Sequence, residues 1–131
     1  MEISTRQVIA TTKAPAAIGP YAQAIRAGNL IFTSGQIPLD PQSGEVVGAT
    51  TAEQTKQALE NLASVLEAAG SSLSAAVKTT VFLQSISDFP QMNEVYAQYF
   101  KGEVVPSRST VEVSALPKGV LVEIEAIGML S

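Results

Sequence analysis

The sequence predicts an α+β fold, a mixed β-sheet with two helices packed on one face, and three patterns carry that reading. Short β-prone runs crowd the first third, two segments with helical apolar spacing flank a central strand, and two-residue alternation returns near the end. Two helices joined through a strand fit a split β-α-β arrangement in which both cover the same side of the sheet. The other side then needs a cover. Self-association supplies one, so a homo-oligomer is expected from the layers alone.

Tyr21 to Arg26 and Leu30 to Ser34 are β-prone runs around Gly28-Asn29, a turn pair that predicts a hairpin. Pro38 to Gly44 reads as a loop from its Pro, Asp and Gly content. Thr50-Thr-Ala-Glu53 has capping-box spacing, and Thr55, Leu59, Leu62, Leu66 and Ala69 continue as a helical stripe that Gly70 ends. Thr79, Thr80, Val81 and Phe82 mark a strand from Lys78 to Gln84. Asp88 is placed to cap a second helix that tolerates Pro90 in its first turn. Met92, Val95, Tyr96 and Tyr99 form its apolar stripe, with the tyrosines read as core packing.

Alternation sorts the final third into faces. Ser109, Val111, Val113 and Ala115 are read as a core side, with Arg108, Thr110, Glu112 and Ser114 opposite. After the Leu116-Pro-Lys-Gly119 turn, Val120, Val122, Ile124 and Ala126 repeat the apolar side, while Glu123 and Glu125 share the other with Leu121, Ile127 and Met129. Two carboxylates among large apolar groups suit neither a solvated face nor a dry core. A subunit interface containing a polar site accommodates both.

Composition narrows the chemistry. The 131 residues suffice for one core, so one domain spanning residues 1–131 is expected. Charged residues are only 15% of the chain, below the roughly 25% usual for globular proteins, which again points to surface hidden in an assembly. No apolar run approaches the ~20 residues of a membrane span, and Met1 to Arg6 lack the features of a secretory signal, so a cytoplasmic protein is expected. With no Cys and no His, thiolate or histidine catalysis is impossible and no metal site is expected. The net charge of −4 offers nucleic acid no electrostatic attraction.

Arg108, one of three arginines, stands among small hydroxyl residues in Pro106-Ser-Arg-Ser-Thr110, and its fork suits a carboxylate. The structural alternative is an ion pair across an interface with Glu112, Glu123 or Glu125. Glu123 is open to the same two readings, as a base or water-positioning group or as the partner of a cation. At Ser34-Gly35-Gln36 a glycine following a strand lets backbone approach a ligand, or simply ends the strand. Gly19-Pro20-Tyr21 reads first as a turn that packs an aromatic ring.

Ala14-Pro-Ala-Ala-Ile-Gly-Pro-Tyr21, Thr33-Ser-Gly-Gln-Ile-Pro38, Glu67-Ala-Ala-Gly70, Val77-Lys-Thr-Thr-Val-Phe82, Pro106-Ser-Arg-Ser-Thr-Val-Glu-Val113, Leu116-Pro-Lys118 and Val122-Glu-Ile-Glu-Ala-Ile127 occur in order along nearly the whole chain. Together they resemble the Rid (YjgF, L-PSP) family, in its RidA branch. The resemblance implies a chorismate-mutase-like fold assembled as a homotrimer, with the sheets facing its centre and three clefts between subunits. It also implies hydrolysis of reactive 2-imino acids, such as 2-iminobutanoate and 2-iminopropanoate, to 2-oxo acids and ammonia. Pyridoxal-phosphate enzymes release these imines, and the hydrolase itself is expected to need no cofactor. Carried over by position, Arg108 is the carboxylate-binding arginine, Glu123 the water-associated glutamate, Tyr21 the cleft tyrosine and Asn93 the helix asparagine. Ser34, Gly35 and Thr110 complete the expected substrate contacts.

Two departures stand out: Thr110 occupies a position where relatives often carry Cys, and Lys101 to Val105 is a shorter stretch than in many of them. Two rival functions are carried alongside the hydrolase, a trimeric partner-binding or chaperone-like protein and an endoribonuclease or translation inhibitor. The second lacks a histidine pair, a basic run and a base-stacking platform.

Overall fold

The computed structural model describes residues 5–131; the first four, part of the stretch read above for a secretory signal, lie outside the described residues. The elements in chain order are β1 (Arg6–Ile9), β2 (Ala24–Ala27), β3 (Leu30–Thr33), α1 (Thr51–Ala68), β4 (Ala76–Leu83), α2 (Phe89–Tyr99), β5 (Ser107–Glu112) and β6 (Val122–Met129). They form one mixed six-stranded sheet in the order β1-β2-β3-β6-β4-β5, with both helices on one face. Among the described residues only β4 and β5 run parallel, as the α2 crossover between them requires. The last two strands are not neighbours, because β4 lies between them.

The predicted hairpin forms with Ala27 opposite Leu30 and Gly28 at φ 61°, the left-handed conformation the turn demands. Its first strand begins at Ala24, so Tyr21 stands in the preceding loop. Strand β1 was not anticipated. Its Arg-Gln-Val-Ile run is short and half polar, and it pairs at the edge with β2.

The α1 capping box is present: the Thr50 side chain accepts from the Glu53 N–H, and Glu53 Oε1 accepts from the Thr50 and Ala49 N–H groups. Those donors hold the Glu53 carboxyl below its usual pKa. Thr55, Leu59, Leu62 and Leu66 are fully buried, and Gly70 follows the helix at φ 86°. Asp88 occupies the N-cap position of α2 but does not cap it with its side chain. Its carboxylate instead accepts from the Thr51 hydroxyl at 2.9 Å, tying the start of α1 to the start of α2. Neither helix is long and apolar enough to cross a membrane.

Val122, Ile124 and Ala126 of β6 and Thr79, Val81 and Leu83 of β4 are buried beneath the helices. Strand β5 reverses the expected sides. Arg108 and Thr110 lie on the helix-covered face, whereas Val111 shares the open face with Phe82, and Ser109 accepts from Lys78 there. As an edge strand beside a short helix, β5 has no fully dry face, and its small residues suit either side.

The open face carries Val8, Phe32 and Met129 at 70%, 41% and 47% exposure. Thr50→Ala is expected to cost about 1 kcal/mol, the usual loss for a removed N-cap. A urea-unfolding midpoint that does not fall relative to wild type would contradict the capping role.

Candidate active site

Glu123 and Glu125 project from β6 to the open side, alternating with the buried residues of that strand. Strand β3 follows β6 until Phe32 faces Ile127, but Gln36 then bridges Ile124 rather than Glu123. One extra residue is thus inserted between Phe32 and Gln36, a bulge that turns the chain away from the ladder. The Thr33 hydroxyl fills the gap by accepting from the Ala126 N–H at 3.0 Å.

At the bulge, Gly35 lies against the Glu123 side chain. A Cβ on Gly35 would collide with Glu123 Oε2 and stand 2.8 Å from its Cδ, so only glycine leaves the carboxyl its place. Burial, and secondarily the like charge of Glu125, raises the Glu123 pKa above the ordinary glutamate value. No intrachain hydrogen bond engages the Gly35 N–H among the described residues. Ser34 differs: its hydroxyl donates to Ala22 O at 2.6 Å and its N–H to Gln23 O. Both of its protons anchor the loop that carries Tyr21.

Tyr21 is 54% exposed on the wall of a cleft of about 460 Å³ that also contains Gly35, Gln36, Leu39 and Lys118. Gly19, at φ 121°, sets the turn, and the tyrosine hydroxyl accepts from the Ile18 N–H. Gln23 fixes the surrounding segment. Its carboxamide accepts from the Thr11 N–H and donates to the Thr11 and Pro15 carbonyls.

The arginine lies elsewhere. Arg108 Cζ sits 4.6 Å from the Tyr96 ring centroid and 5.3 Å from that of Phe89, both within cation–π range. Its Nη1 donates to Asn93 Oδ1 at 2.8 Å. Phe89, Asn93 and Tyr96 recur at spacings of four and three, which put them on one face of α2. A second cavity of about 370 Å³ opens at the guanidinium, lined also by Ala97, Val105 and Pro106. The Thr110 hydroxyl, on the same side of β5, is buried with no hydrogen-bond partner among the described residues.

The predicted residues therefore form two groups. Arg108, Asn93 and Thr110 lie at one edge on the helix side, whereas Glu123, Gly35 and Tyr21 lie at the open side and its loops. Arg108 is opposite Thr79 on β4 and Glu123 is opposite Phe82, so they stand two strands apart, three residues out of step and on opposite faces. One chain does not unite them. Tyr96, Phe89 and Thr79 join the arginine group although their apolar or strand-forming character pointed only to packing. The polar Asn93 within their helical spacing was the available signal. Among the described residues, no cluster of three or more Asp and Glu could hold a metal ion.

The "Endoribonuclease L-PSP" family model matches residues 11–130. A RutC family protein of Pyrococcus horikoshii is 57% identical, the alignment covering 93% of this chain and 96% of that protein. The mouse 2-iminobutanoate/2-iminopropanoate deaminase is 52% identical, with 95% of this chain and 91% of that protein covered. The crystal structure of Escherichia coli TdcF with bound serine superposes with a TM-score of 0.90 at 46% identity, over 95% of this chain and 99% of that one. The bulge that seats Glu123 over Gly35 and the strand that carries Arg108 thus belong to a chain of the L-PSP family, the group of the YjgF and Rid proteins.

Proposed function

We propose that this protein hydrolyses reactive 2-imino acids released by pyridoxal-phosphate enzymes, 2-iminobutanoate and 2-iminopropanoate among them, to 2-oxo acids and ammonia. It does so as a homotrimer of chorismate-mutase-like, RidA-type domains, each spanning residues 1–131, with sheets turned to the centre and a site in each of three clefts. The observation that carries this reading is the state of Arg108. Two rings and the neutral Asn93 side chain hold it, and no carboxylate is its hydrogen-bond partner among the described residues. The cation is left for an anionic ligand. The deaminase name of mammalian relatives supports the same assignment.

Assembly would join the two groups. The exposed apolar side chains of the open face need a cover, and Glu123 lies on that face while Arg108 of the same chain does not. A site using both side chains draws them from neighbouring subunits. Arg108 binds the substrate carboxylate with its fork and fixes the imine carbon beside it. Glu123 holds a water and takes one of its protons as the oxygen bonds to that carbon. That proton passes to the imine nitrogen as its C=N π bond opens, giving the carbinolamine; Glu123 then moves the hydroxyl proton to the same nitrogen, the C–N bond breaks, and ammonia leaves as the 2-oxo group forms. Tyr21 walls the cleft, and the Gly35 and Thr110 backbone supplies polar contacts. An imine is electrophilic enough to need neither a covalent nucleophile nor a cofactor. The RNA-cleaving reading suggested by the family's name finds no histidine and no cationic excess to support it.

Coupled to a threonine dehydratase, wild type should accelerate loss of the free imine, leaving less of it to be trapped. Arg108→Ala should lower kcat/KM about a hundredfold, as expected for a lost charge-assisted clamp. Glu123→Gln should cost between roughly a hundredfold and ten-thousandfold. No acceleration by wild type, or full activity in Arg108→Ala, would sink the proposal. Gly35→Ala, which pushes the carboxyl aside, should lose about a hundredfold through misplacement alone, read as kcat with the oligomer intact.

The sign of the pH effect follows from the elevated Glu123 pKa. The base works only when deprotonated, so the acid limb of kcat/KM should lie above the ordinary glutamate value of 4.5. Glu125→Gln removes the like charge and should move that limb to lower pH. An unmoved or raised limb would contradict the assignment of Glu123 as the base.

A further inference from the structure

We propose that Tyr96 is a positioning residue for anion capture, its ring being the fixed platform on which the Arg108 guanidinium rests. The inference deepens the deaminase reading and rests on it for the identity of the anion.

Three features set this tyrosine apart from a packing aromatic. Its hydroxyl shares a 2.7 Å hydrogen bond with the fully buried Thr79 Oγ1, and Thr79 is the residue of β4 directly opposite Arg108. One strand pairing thus locates both the cation and the anchor of the ring beneath it. The ring is also stacked on Phe100, at 4.3 Å between centroids and 28° between planes. Held at its tip and along one face, it has little freedom to follow the guanidinium. The guanidinium must conform to the ring.

The long arginine side chain has many rotamers, and immobilising it on binding costs conformational entropy. A ring at 4.6 Å and an acceptor at Nη1 select the orientation before the ligand arrives. The Asn93 contact occupies one nitrogen, so the remaining N–H groups define the edge offered to a carboxylate. Burial raises the Tyr96 phenol pKa above its usual value, against the Thr79 hydrogen bond and then the Arg108 charge, which both lower it. The platform therefore supplies a neutral π face rather than a phenolate that would compete with the ligand for Arg108. Phe89 contributes a second, more distant ring.

The test measures 2-iminobutanoate turnover as KM and kcat separately, on variants whose thermal unfolding and oligomeric state match wild type. Tyr96→Leu should raise KM about tenfold, the scale of a lost desolvated cation–π contact, and change kcat much less. Tyr96→Phe, which keeps the ring, should recover most of that loss. In an Arg108→Lys background, which loses the planar fork, the same Leu substitution should have little further effect because the platform acts through the guanidinium.

Unchanged KM in Tyr96→Leu, or an equal loss in both backgrounds, would overturn the inference. Should Tyr96→Leu fail to fold, the less buried Phe89→Leu must raise KM in the same direction by a smaller factor, and its failure to do so counts equally against the platform. If wild type consumes no imine, the deaminase reading falls separately. The variants titrated with 2-oxobutanoate then decide the positioning role, with a weakened Kd in Tyr96→Leu expected and an unchanged Kd contradicting it.

Discussion

The pleat shared by β6, β4 and β5 is the constraint on which the site depends. Successive side chains on a strand point to opposite faces, and pairing carries a face from one strand to the next. Thr79 and Ala126 place Arg108 on the helix side, and Phe82 places Glu123 on the open side. No rotamer of a long side chain cancels both the change of face and the two intervening strand spacings of about 4.8 Å each. A cation on one face and a base on the other work on one substrate when a second copy brings its opposite face alongside. In the proposed two-chain site, oligomerisation would be part of the chemistry and would also cover Val8, Phe32 and Met129.

The loops that complete the site are held by buried carboxamides. Asn61 donates to Ile37 O and Leu39 O, binding the segment after Gly35 to α1. Gln54 accepts from the Leu121 N–H at 2.7 Å and donates to Gly48 O, fixing the approach to β6. Gln23 performs the same task beneath Tyr21. Gln54 and Gln23 both donate to and accept from backbone atoms, and Asn61 donates to backbone while its Oδ1 accepts from Gln57 Nε2, which keeps loops without secondary structure in one conformation.

Features governed by neighbouring residues in the chain were legible in the sequence. The capping box from Thr50 to Glu53, the Gly28-Asn29 turn and the buried side of β6 all follow from local chemistry and came out as expected. Those governed by tertiary neighbours did not. Ser109 and Val111 alternate with Arg108 and Thr110 in a pattern that fits either side of an edge strand, and α2 decides which side is covered. Asp88 had the right position for a cap, but the Thr51 hydroxyl supplied a better-placed donor. Tyr96 was read as core, which it is; only the register that sets Thr79 opposite Arg108 reveals the cation above it. Gly35 was read as a place for close approach to a ligand, and the group found against it is Glu123. Arg108 and Glu123 themselves were singled out by charge and by resemblance, without any sign that the pleat separates them.

Mixed assemblies test the two-chain site directly. Arg108→Ala and Glu123→Gln subunits, each expected to keep no more than about a hundredth of wild-type activity alone, would be refolded together in equal amounts and assayed for imine hydrolysis. Random mixing leaves an intact Arg108 facing an intact Glu123 in about one cleft in four, so roughly a quarter of wild-type activity should return if neighbouring subunits supply the two residues. Mixed assemblies no more active than either parent would contradict a site shared between chains.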